Sequence, residues 1–336
     1  MDYNTFKNEI FKSLEKCFEE LRKEDTARGT YARKYNLELT TVPKVNIIRD
    51  GIVLSPVADG NIGPVLYLDA IYQEFCDSCE KMEEIVAKTL SLIDKILINP
   101  DQEILPCLSI TPTTTTGCSI KAIKKAIKSG ELYIIPLLVQ TINNDAFISD
   151  CPHRAFKNLT VIYKLVHFGA DTDDAKISIK ITDEVASELG YTEETLYQES
   201  LANLRSHFAP VVENLMTIAQ EFMPVDKGLE MGDSPLLVVT NNFKFNGANA
   251  LLLPDVFKNI ADDLGCNLFI LPSSIHEVLV LPDFDNERLS GDKLFQMVQE
   301  VNATCVVVEE VLTDALYYFN RETNGIELLF STEVNS

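Results

Sequence analysis

The chain has 336 residues, of which 46% are hydrophobic and 24% are charged, and its formal net charge is −22. Nucleic acids and anionic membranes attract basic surfaces, so this charge argues against direct nucleic-acid binding and against attachment to a membrane. The length predicts two or three domains, and a chain of this size can bury a core without disulfide or metal staples.

The N-terminal region is predicted to form one α-β-β-β-α module over residues 1–98. Apolar residues recur at spacings of three and four over 5–24, which is typical of an amphipathic helix. The remaining elements are predicted as strands over 37–45, 52–57 and 65–68, and a helix over 82–96. Asp50-Gly51 is interpreted as the turn between the first two strands, because Asp-Gly favours tight hairpin turns.

The middle of the chain is predicted to be a second α+β module over 118–221. It follows a Thr/Pro-rich segment, 99–117, which we interpret as a surface loop, and it precedes a linker over 222–234. Thr192 is a good N-cap for a helix. The predicted elements are a short basic helix over 120–128, strands over 133–142, 159–166 and 176–182 around a loop at 145–156, and a helix over 193–208.

The C-terminal module, 235–336, is predicted to be dominated by hairpins. Its predicted elements are a strand over 236–240, a turn at Asn246-Gly247, helices over 254–264 and 293–301, and hairpins of 268–271 with 278–281 and of 315–319 with 326–330. Strands and helices alternate without βαβ regularity. The fold class is therefore predicted to be α+β, with mixed, mainly antiparallel sheets and flanking helices.

The connection Pro272–Glu277 is the strongest candidate for a functional surface. It places Ser273, Ser274, His276 and Glu277 at the tip of a predicted hairpin, where binding residues often lie. A hydrolase-like use of His276 with a serine or with Glu277 is one interpretation, although no acid at a known spacing supports it. In the other interpretation the serines satisfy the turn backbone and His276 bonds locally. In the functional interpretation, His276→Ala leaves stability almost unchanged.

His153 is a weaker candidate, two residues after Cys151. A neighbouring imidazole can lower the pKa of a thiol, but this segment is equally typical of a plain turn. Cys76-Asp-Ser-Cys79 lacks the second cysteine pair of a zinc site, and no phosphate-binding glycine loop is present. We therefore expect no cofactor and no metal.

Two further features bear on location and charge. Eight cysteines are too few for a disulfide scaffold, and residues 1–9 lack the apolar segment of a signal peptide, so we expect a cytoplasmic protein. No apolar run reaches the length that spans a bilayer. Lysines on the predicted basic helix form one cationic face, which we interpret as solvated surface: Lys121, Lys124, Lys125 and Lys128.

Several segments resemble one bacterial family, domain of unknown function 5688. The resemblance is strongest over Asn267–Pro282 (NLFILPSSIHEVLVLP) and over Glu309–Arg321 (EEVLTDALYYFNR). The segments 150–156 and 190–197 are also similar to the family, whereas the Thr-rich loop and Cys151 depart from it. The resemblance implies a bacterial cytoplasmic or mobile-element protein, and it brings no activity or catalytic residue.

Three hypotheses about function follow from the residues and the resemblance. The first is a non-enzymatic binding module whose partner is a protein, linked to a mobile-element or phage process. The second is the hydrolase-like enzyme that uses His276. The third is an acidic decoy that binds a nucleic-acid-binding protein, since a carboxylate-rich surface can present charge as phosphates do. We favour the first, because no cofactor motif, metal set or complete triad is present.

Overall fold

The computed structural model describes residues 1–57, 64–78, 80–98, 120–168, 175–215, 236–272, 274–284 and 290–332. The predicted Thr/Pro-rich loop and the predicted 222–234 linker lie outside these residues. The chain divides into two compact units. The first comprises Met1–Lys44 and Ile48–Ile123, and the second comprises Val45–Ile47 and Lys124–Ser336.

The first unit consists of helices around a three-stranded sheet. Its elements are α1 (Tyr3–Leu21), α2 (Ala27–Lys34), β1 (Tyr35–Lys44), β2 (Ile47–Pro56), β3 (Val65–Tyr67), α3 (Leu68–Ser78) and α4 (Met82–Ile98). The side chain of Asp2 caps α1 by accepting a hydrogen bond from the backbone N–H of Thr5. The apolar face of α1, from Phe6 to Leu21, is buried against β2 and α4, as its helical spacing predicts.

The predicted turn at Asp50-Gly51 is wrong, because both residues lie inside β2. The chain turns at Val45 and Asn46 instead, and Asn46 adopts a positive φ of 60°. Gly51 serves a different purpose. It pairs with Tyr67 of β3, and a Cβ at Gly51 would lie 2.6 Å from Cγ1 of Val65. Glycine therefore permits a close approach between strands rather than a turn.

The second unit contains two sheets with helices packed on them. Its helices are α6 (Asp145–Ile148), α7 (Asp183–Leu189), α8 (Glu193–Ser206), α9 (Pro254–Leu264) and α10 (Gly291–Thr304), with 3₁₀ helices at Gly247–Leu252 and Val308–Glu310. The preceding helix in the chain, α5, spans Ile120–Ser129. Thr192 caps α8 in a capping box with Thr195, which confirms the predicted helix start.

The strands of this unit form a four-stranded and a six-stranded sheet. They are β4 (Tyr133–Gln140), β5 (Arg154–Phe156), β6 (Leu159–Phe168), β7 (Ala175–Lys180), β8 (Pro210–Asn214), β9 (Leu237–Asn241), β10 (Asn267–Leu271), β11 (Val278–Asp283), β12 (Ala315–Asn320) and β13 (Gly325–Ser331). The first sheet has the order β4-β6-β5, with β7 also beside β6, and the second has the order β13-β12-β10-β11-β9-β8. The pairs within both sheets are antiparallel, so the α+β fold class is confirmed.

The predicted loop at 145–156 contains α6 and β5, which the sequence pattern does not reveal because both are very short. The predicted middle and C-terminal modules lie within one compact unit. Buried hydrogen bonds join them, because Asn158 donates to Thr313 (2.8 Å) and accepts from Tyr317 (2.6 Å). The division into three modules stays a prediction.

Asparagine side chains occupy the outer edge of β4. Their amides donate to backbone carbonyls of the strand: Asn203 to Ile134 (2.9 Å), Asn249 to Pro136 (2.6 Å) and Asn144 to Gln140 (2.8 Å). Pro136 itself has no N–H to present. These bonds satisfy edge carbonyls that a neighbouring strand would otherwise bind.

No helix within the described ranges is long and apolar enough to cross a membrane.

Candidate functional site

The predicted hairpin is confirmed, and the connection Pro272–Glu277 joins its two strands. Leu271 of β10 lies opposite Leu279 of β11 in an antiparallel register. The candidate residues Ser274, His276 and Glu277 are described, whereas Ser273 lies outside the described residues.

The imidazole of His276 has a hydrogen-bond donor on one side and a carboxylate on the other. Its Nδ1 accepts a hydrogen bond from the backbone N–H of Asn246 at 3.2 Å, and its Nε2 lies 3.7 Å from Oε1 of Glu310. Because Nδ1 acts as an acceptor, a neutral ring carries its proton on Nε2, on the side that faces the Glu310 carboxylate. The side chain of His276 is 26% exposed.

Hydrogen bonds hold the backbone of the connection in place from three directions. Ser274 is buried, and its hydroxyl accepts from the N–H of His276 at 3.0 Å. The hydroxyl of Thr240, on β9, donates to the carbonyl of His276 at 2.8 Å. The N–H of Ile275 donates to the carbonyl of Glu310 at 2.8 Å, and the carbonyl of Ile275 accepts from Ala248 at 3.2 Å. Ser274 thus satisfies the turn backbone, as the second sequence interpretation holds.

The Asn246-Gly247 pair lets the chain approach this connection closely. Asn246 adopts a positive φ of 51° before the 3₁₀ helix. A Cβ at Gly247 would lie 2.4 Å from the carbonyl oxygen of His276 and 2.4 Å from the hydroxyl of Thr240. The sequence predicts a turn here, but it does not indicate that the turn packs on His276.

Asn246 also contributes an unpartnered donor. The residue is 1% exposed, and its buried Nδ2 has no hydrogen-bond partner in the described part of the chain. Buried amide donors are normally satisfied, so an ordered water or a partner group is expected beside it. The backbone N–H of the same residue lies at the His276 ring.

Aromatic rings extend from His276 across the unit. The ring of Phe245 lies 5.9 Å from the imidazole, and Phe168 contacts Phe245 (5.7 Å) and Phe243 (4.3 Å). Phe208 and Tyr133 continue the row. Phe168, Phe243 and Phe245 are each partly exposed. The sequence does not reveal this row, because its members come from separate elements.

The exposed part of the site combines carboxylates with apolar and aromatic groups. We call it the His276 surface and define it by Phe245, Ile275, His276, Glu277 and Glu310, all of which are partly exposed. The Glu310 side chain is 47% exposed. Glu310 and Phe245 both lie beside the His276 ring, and a carboxylate close to an aromatic ring favours a ligand that carries positive charge next to apolar groups.

His153 has separate partners. Its Nδ1 lies 2.8 Å from the carbonyl oxygen of Cys151, and no hydrogen bond or ion pair among the described residues joins it to His276. Burial raises the pKa of the Cys151 thiol to about 12, so the thiol stays protonated at neutral pH. The geometry does not favour a Cys151–His153 nucleophile.

The described geometry also gives a nucleophile–base pair at His276 no support. A general base needs a ring nitrogen within reach of the proton that it removes. Here Nδ1 receives a backbone N–H, Nε2 faces Glu310, and the Ser274 hydroxyl bonds to the His276 backbone rather than to its ring. Among the described residues, no group of three or more His, Cys, Asp or Glu side chains could hold a metal ion.

Fold and site together define an α+β protein whose candidate binding surface lies on a hairpin connection. The chain belongs to the family of unknown function DUF5688, whose model matches residues 3–321, and this confirms the resemblance. Neither the curated proteins nor the solved structures contain a match to the chain.

Proposed function

We propose that this protein is a non-enzymatic binding module and that its partner is another protein, bound at the His276 surface. The observation that carries the proposal is the position of the His276 ring, whose Nδ1 accepts a hydrogen bond from Asn246 and whose Nε2 faces the Glu310 carboxylate. A histidine held in this way positions a loop and presents the edge of its ring. Such a role suits recognition better than proton transfer.

The chemistry of the surface suggests the kind of partner. Glu277 and Glu310 offer carboxylates, and Phe245 and Ile275 offer partly exposed apolar groups. A lysine or arginine next to an apolar side chain would complement both, and an arginine would also stack on the Phe245 ring. The hydrogen-bonded backbone keeps the surface in one shape, which lowers the entropy lost on binding. We place this binding in the cytoplasm, because eight cysteines in 336 residues are too few for a disulfide scaffold.

Affinity capture from a lysate of the native host, followed by mass spectrometry, tests the proposal. The bait is the full chain, compared with the Glu277→Gln/Glu310→Gln variant, which keeps the size of both side chains. Glu300→Gln/Glu322→Gln removes the same charge from two exposed positions of the same unit and serves as the matched control. We expect partners that the control variant retains and that the Glu277→Gln/Glu310→Gln variant loses.

Two results would contradict the proposal. One is a set of partners that both variants retain equally. The other is hydrolysis of an ester or amide substrate panel by the purified chain that disappears in His276→Ala, which would establish the hydrolase hypothesis instead.

A further inference from the structure

Helix α5 carries a second charged surface, separate from the His276 surface. Its sequence, Ile-Lys-Ala-Ile-Lys-Lys-Ala-Ile-Lys-Ser, contains four lysines and no acidic residue. Lys121, Lys124, Lys125 and Lys128 are all exposed, whereas Ile123 on the opposite side is buried. At about 100° per residue the four lysines fall within an arc of about 100°, and they form a stripe roughly 10 Å long.

The lysine stripe does not stabilise the helix that carries it. Lys121–Lys125 and Lys124–Lys128 are like charges at a spacing of four, which destabilises a helix. Lys121 also lies in the first turn, where the helix dipole disfavours a cation. Within the part of the chain that the structure describes, no ion pair includes any of the four. Among the residues that the structure describes, the stripe therefore has no partner of opposite charge.

We propose that the lysine face of α5 is a docking surface for an acidic segment of another protein. Charge complementarity carries the proposal: four exposed ammonium groups in one stripe match a short run of carboxylates. This contact is independent of the His276 surface, which is acidic and favours the opposite charge. The chain would thus present two recognition surfaces of opposite sign.

The chemistry of α5 distinguishes this partner from nucleic acid. The helix has no arginine for bidentate phosphate contacts and no aromatic ring on which a base could stack. A long polyanion also meets the field of the whole chain, whose net charge is −22. A short acidic segment would interact mainly with the four lysines. At physiological salt, charges of the protein that lie more than about 8 Å away are largely screened.

The same residues argue against an anionic membrane. A helix that binds in the membrane interface inserts an apolar face. In α5 the side chain of Ile123, at the centre of the apolar face, is only 2% exposed, so the centre of this face is already packed against protein. Without insertion of an apolar face, the four lysines alone would have to hold a strongly acidic chain at an anionic surface, and the charge of the rest of the chain opposes this.

A labelled oligoglutamate peptide titrated with the full chain tests the proposal. The variant Lys121→Gln/Lys124→Gln/Lys125→Gln/Lys128→Gln removes the stripe and keeps good helix formers. The matched control removes four exposed lysines elsewhere: Lys12→Gln, Lys16→Gln, Lys23→Gln and Lys293→Gln. We expect the stripe variant to bind about tenfold more weakly, as four weak exposed ion pairs would give, and we expect the control to bind like the native chain.

The experiment includes two competitors, a single-stranded oligonucleotide and vesicles of anionic lipid. Each is added at the same concentration of negative charge as the peptide. The proposal is overturned if the native chain does not bind the peptide, or if both variants lose binding equally. It is also overturned if either competitor binds through the α5 lysines more tightly than the peptide does. Circular dichroism verifies that both variants keep the native helix content.

Discussion

The backbone N–H of Asn246 donates a hydrogen bond to Nδ1 of His276, thirty residues further along the chain, at 3.2 Å. This bond joins the start of a 3₁₀ helix to the connection between β10 and β11. Asn246 is 1% exposed, so removal of the imidazole would leave a buried N–H without its acceptor. The histidine therefore contributes both to the fold and to the surface that we propose for binding.

His276→Ala should lower the free energy of unfolding by about 1–3 kcal/mol, because the buried N–H of Asn246 loses its acceptor. Urea unfolding followed by circular dichroism measures this loss. His207→Ala serves as the control. Because His207 is exposed, this substitution should lower the free energy of unfolding by clearly less. Equal stability of His276→Ala and the native chain would show that water reaches Asn246.

Gly247→Ala should destabilise the protein by about 1–3 kcal/mol, since its Cβ would lie 2.4 Å from the His276 carbonyl oxygen. The displaced connection should also weaken binding at the His276 surface. Gly325→Ala is the comparison, because its nearest atom would be 3.4 Å away. If both substitutions lower the melting temperature equally, the contact of the new Cβ with the His276 carbonyl oxygen is not the cause of the lost stability.

Asn249→Ala should lower the free energy of unfolding by about 1–3 kcal/mol. The buried carbonyl of Pro136 would lose the one side-chain donor that it has among the described residues. Asn242→Ala, at an exposed position nearby in the chain, should change stability by no more than about 0.5 kcal/mol. Chemical denaturation of the three proteins tests the difference. Indistinguishable midpoints would show that the β4 edge needs no amide donor.

Glu193 should make the folded protein less stable as the pH falls into the acid range. Burial alone would raise the pKa of this carboxyl, but hydrogen bonds from Arg154 and Tyr163 outweigh burial and lower the pKa below 4.5. A depressed folded-state pKa means that the unfolded chain binds the proton more readily. The stabilisation is then present above pH 4.5 and is lost as the pH falls through the folded-state pKa.

Thermal melts of Glu193→Gln between pH 3 and pH 7 test this dependence, in a range chosen to span the ordinary carboxyl pKa of about 4.3. The variant should be less stable than the native chain near neutral pH, and the difference should shrink toward the acid end. Glu188→Gln removes an exposed carboxylate from α7 and is the control. A constant difference across the range would exclude a titration of Glu193.

Cys151 should resist alkylation in the folded protein. Its thiol is 2% exposed, and burial raises its pKa to about 12, so little thiolate forms at pH 8. Cys76 and Cys305 are exposed and should react. Peptide mapping by mass spectrometry after brief treatment with N-ethylmaleimide distinguishes the three sites. Rapid modification of Cys151 before unfolding would revive the reactive-thiol interpretation.

The sequence predicted elements whose signal is local. The amphipathic period of α1, the Thr192 cap of α8 and the hairpin of β12 with β13 depend on residues a few positions apart. The Asp50-Gly51 prediction failed because a glycine that allows close strand contact looks the same in sequence as one that forms a turn. Only the position of Val65 across the sheet distinguishes the two cases.

The candidate site was predictable only in part, because its partners are distant in the chain. Ser274 and His276 stood out as polar residues between apolar strands. Asn246 and Glu310 flank the His276 ring in space, but in the sequence Asn246 lies far before His276 and Glu310 lies far after it. The expectation that His276→Ala leaves stability almost unchanged assumed a solvated ring, and the buried Asn246 donor now argues for a measurable loss.

The amide-covered edge of β4 has a consequence for how the chain is made. Strands with open edges are templates for aggregation, and a growing chain exposes them before later segments arrive. Asn203 and Asn249 leave the ribosome well after β4, β5 and β6 have been synthesised. Fragments that end before Asn249 therefore expose the Pro136 carbonyl, and truncation in this region is expected to give insoluble protein rather than a smaller domain.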